Sequence, residues 1–194
     1  MQGDPPEESL RWNDFWRKTH KKLIARLTGA QYVWEVGSGY SVEGERMRSV
    51  KLLKELCDEA VSNKAFLPGN GKTHCNRSVR FIAQGFGYGF SPNDLASDQL
   101  AAIALDPAWE AVPLRKVSQL AQQGVLVILG IRAEPHGHVV VAYPDKPQVS
   151  GKWGGEVPMV ANVGQKNWVC KLSEAFFVGQ RDILECYAYI PTTA

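Results

Sequence analysis

The run Val125-Leu126-Val127-Ile128-Leu129-Gly130-Ile131 limits the fold of this chain more than any other stretch. Seven residues without a polar side chain, rich in β-formers, read as a strand buried on both faces and therefore central in a sheet. Arg132-Ala133-Glu134-Pro135-His136-Gly137 then supplies a polar turn, and His138-Val139-Val140-Val141-Ala142-Tyr143 a second strand, so the two predict an antiparallel hairpin. Along that second strand His138, Val140 and Ala142 share one face, and Val139, Val141 and Tyr143 the other. Further strands are expected over 157–163 and 183–190, with a short helix capped by Ser173 over 174–178 and a loop over 144–156.

The chain ahead of the hairpin is helical in pattern. Over residues 10–27, Trp12, Phe15, Trp16, Leu23 and Leu27 form a stripe, with Arg17, Lys18, Lys21, Lys22 and Arg26 on the remaining surface. Gly37-Ser38-Gly39, in an aromatic-rich loop over 30–46, lacks the Gly-Lys-Ser/Thr ending of a phosphate loop. Residues 1–46 are thus expected as a tail, a basic amphipathic helix and a loop, and residues 47–194 as the main domain. Within the latter, helices are predicted over 47–64, with Val50, Leu53, Cys57, Ala60 and Val61 on one face, and from Cys75, over 94–105 and over 114–123, with Gly124 just past the last.

A net charge of +2 is too small to argue for nucleic acid, and no groove-reading motif accompanies the basic helix. The acidic, polar start Met1-Gln2-Gly3-Asp4-Pro5-Pro6-Glu7-Glu8 is unlike a signal peptide, and no apolar run reaches membrane-spanning length. The expectation is a chain made in the cytoplasm, without a transmembrane segment. Cys57, Cys75, Cys170 and Cys186 have neither CxxC spacing nor a disulfide framework, which leaves one bridge among Cys57, Cys170 and Cys186 open. No cofactor is expected, and a metal set of His136, His138 and Cys75 would lack further ligands.

Cys75 opens its helix after the loop Pro68-Gly69-Asn70-Gly71, with Thr73 as the expected N-cap. Val79, Ile82, Ala83 and Phe86 follow at +4, +7, +8 and +11, one face of a helix. A thiol in the first turn lies at the positive end of the helix dipole, which favours the nucleophilic thiolate. The plainer alternative is a small apolar core residue. The order Cys75, His138, Asn162 lets a nucleophile, a base and an orienting amide converge if the helix packs across the sheet. His136 is the rival base.

Thr73-x-Cys75-Asn76, the strand Gly137-His138-Val139-x-Val141 and a polar residue on the next strand resemble the papain-like cysteine amidases of bacterial cell walls, the CHAP and NlpC types. Members include phage endolysins and antibacterial effectors. The resemblance spans roughly residues 50–190 and implies an α+β papain-like fold with helices packed on an antiparallel sheet. It also implies hydrolysis of amide bonds in peptidoglycan by a Cys75-His138-Asn162 triad, acting in the periplasm or cell wall after phage or secretion-system delivery. An immunity protein would be a partner if the chain is an effector. Asn76-Arg77 stands where the family often has a small pair, and Asn162 where some branches carry Glu or His. Trp153, Tyr88 and Phe90 are assigned as walls of a substrate groove, with His136 a further substrate contact; the alternative for the aromatics is as lids on the core. Rival functions are a cysteine peptidase or acyltransferase on another substrate, and a non-catalytic phage structural or binding module.

Overall fold

The computed structural model describes residues 49–134 and 137–191, which belong to one compact unit. The basic helix over 10–27, the loop over 30–46 and His136 lie outside the described residues. Helix α1 (Val50–Ser62) starts where the Ser49 hydroxyl accepts from the Leu52 N–H at 3.2 Å, and it buries Leu53, Leu56, Cys57 and Ala60. Val50, expected on that face, is 41% exposed. A 3-10 turn (Lys64–Phe66) and a loop lead into α2 (Cys75–Gly85), which buries Val79, Phe81, Ile82 and Ala83. Each of the larger of these side chains contributes about 1.5–3 kcal/mol by leaving water.

Helix α3 (Ala96–Leu105), strand β1 (Trp109–Ala111) and helix α4 (Leu114–Gln122) come next. Gly124 follows α4 at φ +78, as its position predicted. Strands β2 (Val127–Ile131) and β3 (His138–Ala142) form the expected antiparallel hairpin, with Ile131 opposite His138. The segment expected as a loop carries a small hairpin of β4 (Gln148–Ser150) and β5 (Gly155–Val157). Pro158 separates β5 from β6 (Met159–Asn162), dividing what the sequence read as one strand, because proline brings no N–H to a ladder.

Strand β7 (Trp168–Lys171) runs straight into α5 (Leu172–Ala175), so Ser173 lies inside that helix and does not cap it. A second 3-10 turn (Val178–Ile183) precedes β8 (Glu185–Tyr189). The main sheet is antiparallel throughout, in the order β1-β8-β2-β3-β6-β7, with β4 and β5 apart. The architecture is α+β. All five residues of β2 are buried, as a strand in the middle of the order requires. The four cysteines are free.

Two glycines shape the hairpin. At Gly130 a Cβ would stand 2.6 Å from the His138 carbonyl oxygen, 2.8 Å from Val139 Cγ1 and 2.9 Å from Leu100 Cδ1 of α3. A carbonyl fixed in the sheet cannot retreat. Gly130→Ala is therefore expected to lower stability by about 1–3 kcal/mol, seen as a lower urea midpoint at unchanged slope. An unchanged midpoint would show that α3 does not press on β2 as described. Gly137 turns the chain at φ +65, where a Cβ would meet the Ile131 carbonyl at 2.5 Å and the Ser97 hydroxyl at 2.7 Å. That turn starts β3 at His138.

Candidate active site

Cys75 is the first residue of α2, and its N-cap is His74, not Thr73. The His74 side chain makes no cap bond, so the first N–H groups of the helix remain unclaimed by a capping side chain. The backbone N–H groups of Val139 on β3, of Asn76 and of Cys75 itself pull the thiol towards its ionised form. Asn76 anchors this end of the helix. Its Nδ2 donates to the Asp94 carbonyl at 2.7 Å, and its own carbonyl accepts from Gln99 Nε2 of α3 at 2.9 Å. Ser78 donates to the Cys75 carbonyl at 2.7 Å.

Ladder geometry explains why Val139 is available. The Tyr189 N–H bonds to the Leu126 carbonyl, so on β2 the even-numbered backbone groups face β8 and the odd ones face β3. On β3, His138 and Val140 then bond towards β2, while Val139 and Val141 face β6. Pairing of β3 with β6 spans Val141 and Ala142 and extends to Tyr143, whose N–H donates to the Met159 carbonyl at 2.8 Å. It does not reach Val139. The ladder has ended there, so the Val139 N–H, which favours an ionised Cys75 thiol, is not committed to β6. The helix that Cys75 opens packs against β3, the strand that begins at His138.

Across the same opening, His138 Nε2 and Asn162 Oδ1 are 2.8 Å apart. Asn162 Nδ2 donates to the Lys166 carbonyl at 2.9 Å, so the amide can offer only its oxygen to the ring. Nε2 must therefore carry the proton, and Nδ1 is left with its lone pair. This is the tautomer of a base. The Phe176 ring lies 5.2 Å from the imidazole, centroid to centroid, tilted by 52°. A Cβ at Gly164 would stand 3.6 Å from His138 Cε1, so the glycine leaves that ring edge clear.

Burial dominates the electrostatics. Cys75 is 7% exposed, and desolvation raises its thiol pKa above 9.0 against the opposing pull of the Val139, Asn76 and Cys75 N–H groups. Desolvation thus works against the thiolate that a place at the helix start favours. Burial likewise lowers His138 below 6.5, with the Asn162 bond acting the other way. Both shifts favour the neutral forms, a thiol and an imidazole. His74 is lowered too, by burial first and then by Arg77 and Lys72.

The aromatic assignments change. Tyr88 follows the C-terminal end of α2, about 16 Å along the helix from Cys75. Its hydroxyl donates to Asp106 at 3.0 Å, and its ring packs on Phe90, Trp109 and Tyr189 at 5.0, 5.1 and 5.5 Å. That cluster covers the β1–β8 edge, at the opposite end of β2 from His138, with β8 and β2 between β1 and β3. Tyr88 and Phe90 are lids on the core because β1, which the sequence pattern did not reveal, needs cover. Trp153 is 3% exposed in the turn between β4 and β5, with its carbonyl accepting from Arg181 at 2.7 Å. A side chain so enclosed walls no open groove. His136 lies outside the described residues.

Sequence reasoning missed Phe176 against the imidazole, and the turn between β6 and β7 that orients Asn162. Neither has a motif, since one is a lone aromatic and the other acts through a backbone carbonyl. Among the described residues no three His, Cys, Asp or Glu side chains group as a metal site, and no helix is long and apolar enough to cross a membrane. Compared with known proteins, the chain matches no family model and no curated sequence.

Proposed function

We propose that this chain is a papain-like cysteine hydrolase of the CHAP and NlpC type that cleaves an amide bond of peptidoglycan through Cys75, His138 and Asn162. One observation supports the chemistry: Asn162 accepts from His138 Nε2, leaving Nδ1 basic, while Cys75 opens the helix that packs against the His138 strand. His138 Nδ1 takes the thiol proton as sulfur attacks the amide carbonyl carbon. The carbonyl oxygen becomes an oxyanion, which the N–H groups at the start of α2, free of a capping side chain, would stabilise. His138 returns the proton to the leaving nitrogen as the C–N bond breaks, giving a thioester and a free amine. Water, deprotonated by the same Nδ1, releases the acid and restores the thiol.

The resting neutral pair fits this use of His138 as a general base. The substrate class rests on the likeness of Thr73-x-Cys75-Asn76 and Gly137-His138-Val139-x-Val141 to the wall amidases. On this reading the enzyme works in the periplasm or cell wall after delivery, and an immunity protein guards the producer if the chain is an effector.

The test is incubation of the full chain with purified peptidoglycan, followed by mass spectrometry of what is released. The expected result is soluble fragments with one new amine and one new carboxylate, at the sugar–peptide junction for an amidase or within the stem for an endopeptidase. Intact wall after exposure to correctly folded protein would overturn the reading.

A further inference from the structure

We propose that Asn167 is a positioning residue that holds the base and nucleophile sides of the site together. This rests on the reading of His138 and Cys75 as a catalytic pair. Asn167 lies in the turn between β6 and β7, where its Oδ1 accepts from the Gly164 N–H at 3.2 Å. Its Nδ2 donates to the Phe66 carbonyl at 2.9 Å, a bond between residues 101 apart in sequence. Phe66 is fully buried in the 3-10 turn that precedes the loop into α2, and its ring packs 6.0 Å from Phe81 of that helix. One amide therefore closes the β6–β7 turn and pins it to the segment leading to Cys75.

The turn matters because it supplies the Lys166 carbonyl. That oxygen takes the Asn162 Nδ2 proton and so fixes which end of the Asn162 amide meets the imidazole. Asn162 is 7% exposed, so little solvent can replace a lost partner. If the turn loosens and the carbonyl withdraws, nothing prevents the amide from rotating by half a turn. It would then present Nδ2–H to His138 Nε2, which must become the acceptor. The ring proton would move to Nδ1, and the side that should receive the thiol proton would carry one already. Asn167 touches no reacting atom. It acts on the tautomer through Lys166 and Asn162.

The experiment compares wild type, Asn167→Ala and Asn167→Asp as full chains. The ¹⁵N-imidazole spectrum of His138 reports the tautomer without a substrate. Iodoacetamide alkylation of Cys75 across pH reports its coupling to the base. Turnover of peptidoglycan gives kcat and KM. In wild type His138 is expected as the Nε2–H tautomer alone. Asn167→Ala should give a mixture of tautomers, a 10- to 100-fold fall in kcat with KM within about twofold, and a displaced alkylation pH profile. Asn167→Asp keeps the acceptor for Gly164 but loses the donor to Phe66, and should fall between the two. It also serves if the alanine variant does not fold. A single unchanged tautomer and an unchanged alkylation profile in a folded variant would overturn the proposal. A tautomer shift in a chain whose wild type leaves peptidoglycan intact would support the positioning role and remove the wall as substrate.

Discussion

Cys75→Ala is expected to leave peptidoglycan intact under conditions in which wild type releases fragments, with turnover lower by at least ~10³-fold. The substitution removes the sulfur and little else. Position 75 keeps a Cβ at the start of α2, the anchors on Asn76 stay in place, and alanine is the best helix former. The folded state should persist, with a melting temperature close to wild type, so lost activity can be assigned to lost chemistry. His138→Ala should cost a similar factor, because a thiol held above its ordinary pKa is a poor nucleophile unless something takes its proton. The double variant should be no slower than either single one, since a nucleophile without its base and a base without its nucleophile are equally idle. Multiplicative losses would mean that the two side chains act independently, and equal turnover by Cys75→Ala would remove the sulfur from the scheme. The folding of the wild-type and variant chains can be compared by circular dichroism before turnover is measured.

The second large effect is on stability in alkali. All four thiols are buried, and burial raises each above 9.0: Cys170 and Cys186 to about 12, Cys57 and Cys75 in the same direction. Below pH 9 both folded and unfolded chains keep these protons, and the full stability is present. Above pH 9 the unfolded chain ionises its thiols while the folded chain cannot, so protons are lost on unfolding and stability falls as pH rises. Each thiol contributes a slope of about 1.4 kcal/mol per pH unit until its folded pKa is reached. Cys170 and Cys186 together would give roughly 3 kcal/mol per unit above pH 9, and Cys57 and Cys75 act in the same direction. Urea titrations between pH 8 and 10.5 should show a steep fall in unfolding free energy, and a shallower one in Cys170→Ala. A flat profile would mean that the thiols ionise as readily folded as unfolded.

Much of the framework was legible in the residues. Seven apolar positions from Val125 could satisfy only a strand covered on both faces, and the alternation from His138 required a partner strand running back along it. The stripe Val79, Ile82, Ala83 identified the buried side of α2 because helical periodicity is a property of one element. Strands β1, β4, β5 and β7 escaped. Three or four residues long and only partly buried, they carry too few periods to stand out, and Trp168–Lys171 has no alternation of burial to mirror. The aromatic loops misled for a related reason. Tyr88 and Trp153 have the composition of a binding wall, but composition does not say which edge of the sheet a loop covers.

Within the site, residue order made Cys75, His138 and Asn162 candidates, and there the information held in the linear chain stopped. The orientation of the Asn162 amide is set by the Lys166 carbonyl, an atom every residue possesses, so no side chain announces it. The protonation of Cys75 depends on how far the surrounding elements exclude water, and burial works against the thiolate that the helix dipole favours. The amino-acid sequence by itself determined which faces must be hidden, because hydrophobic periodicity acts locally along each element. Only the tertiary structure decided where the pairing of β3 with β6 ends. That end point leaves the Val139 N–H uncommitted to β6 on the strand against which the Cys75 helix packs, and it follows from the packing of whole elements.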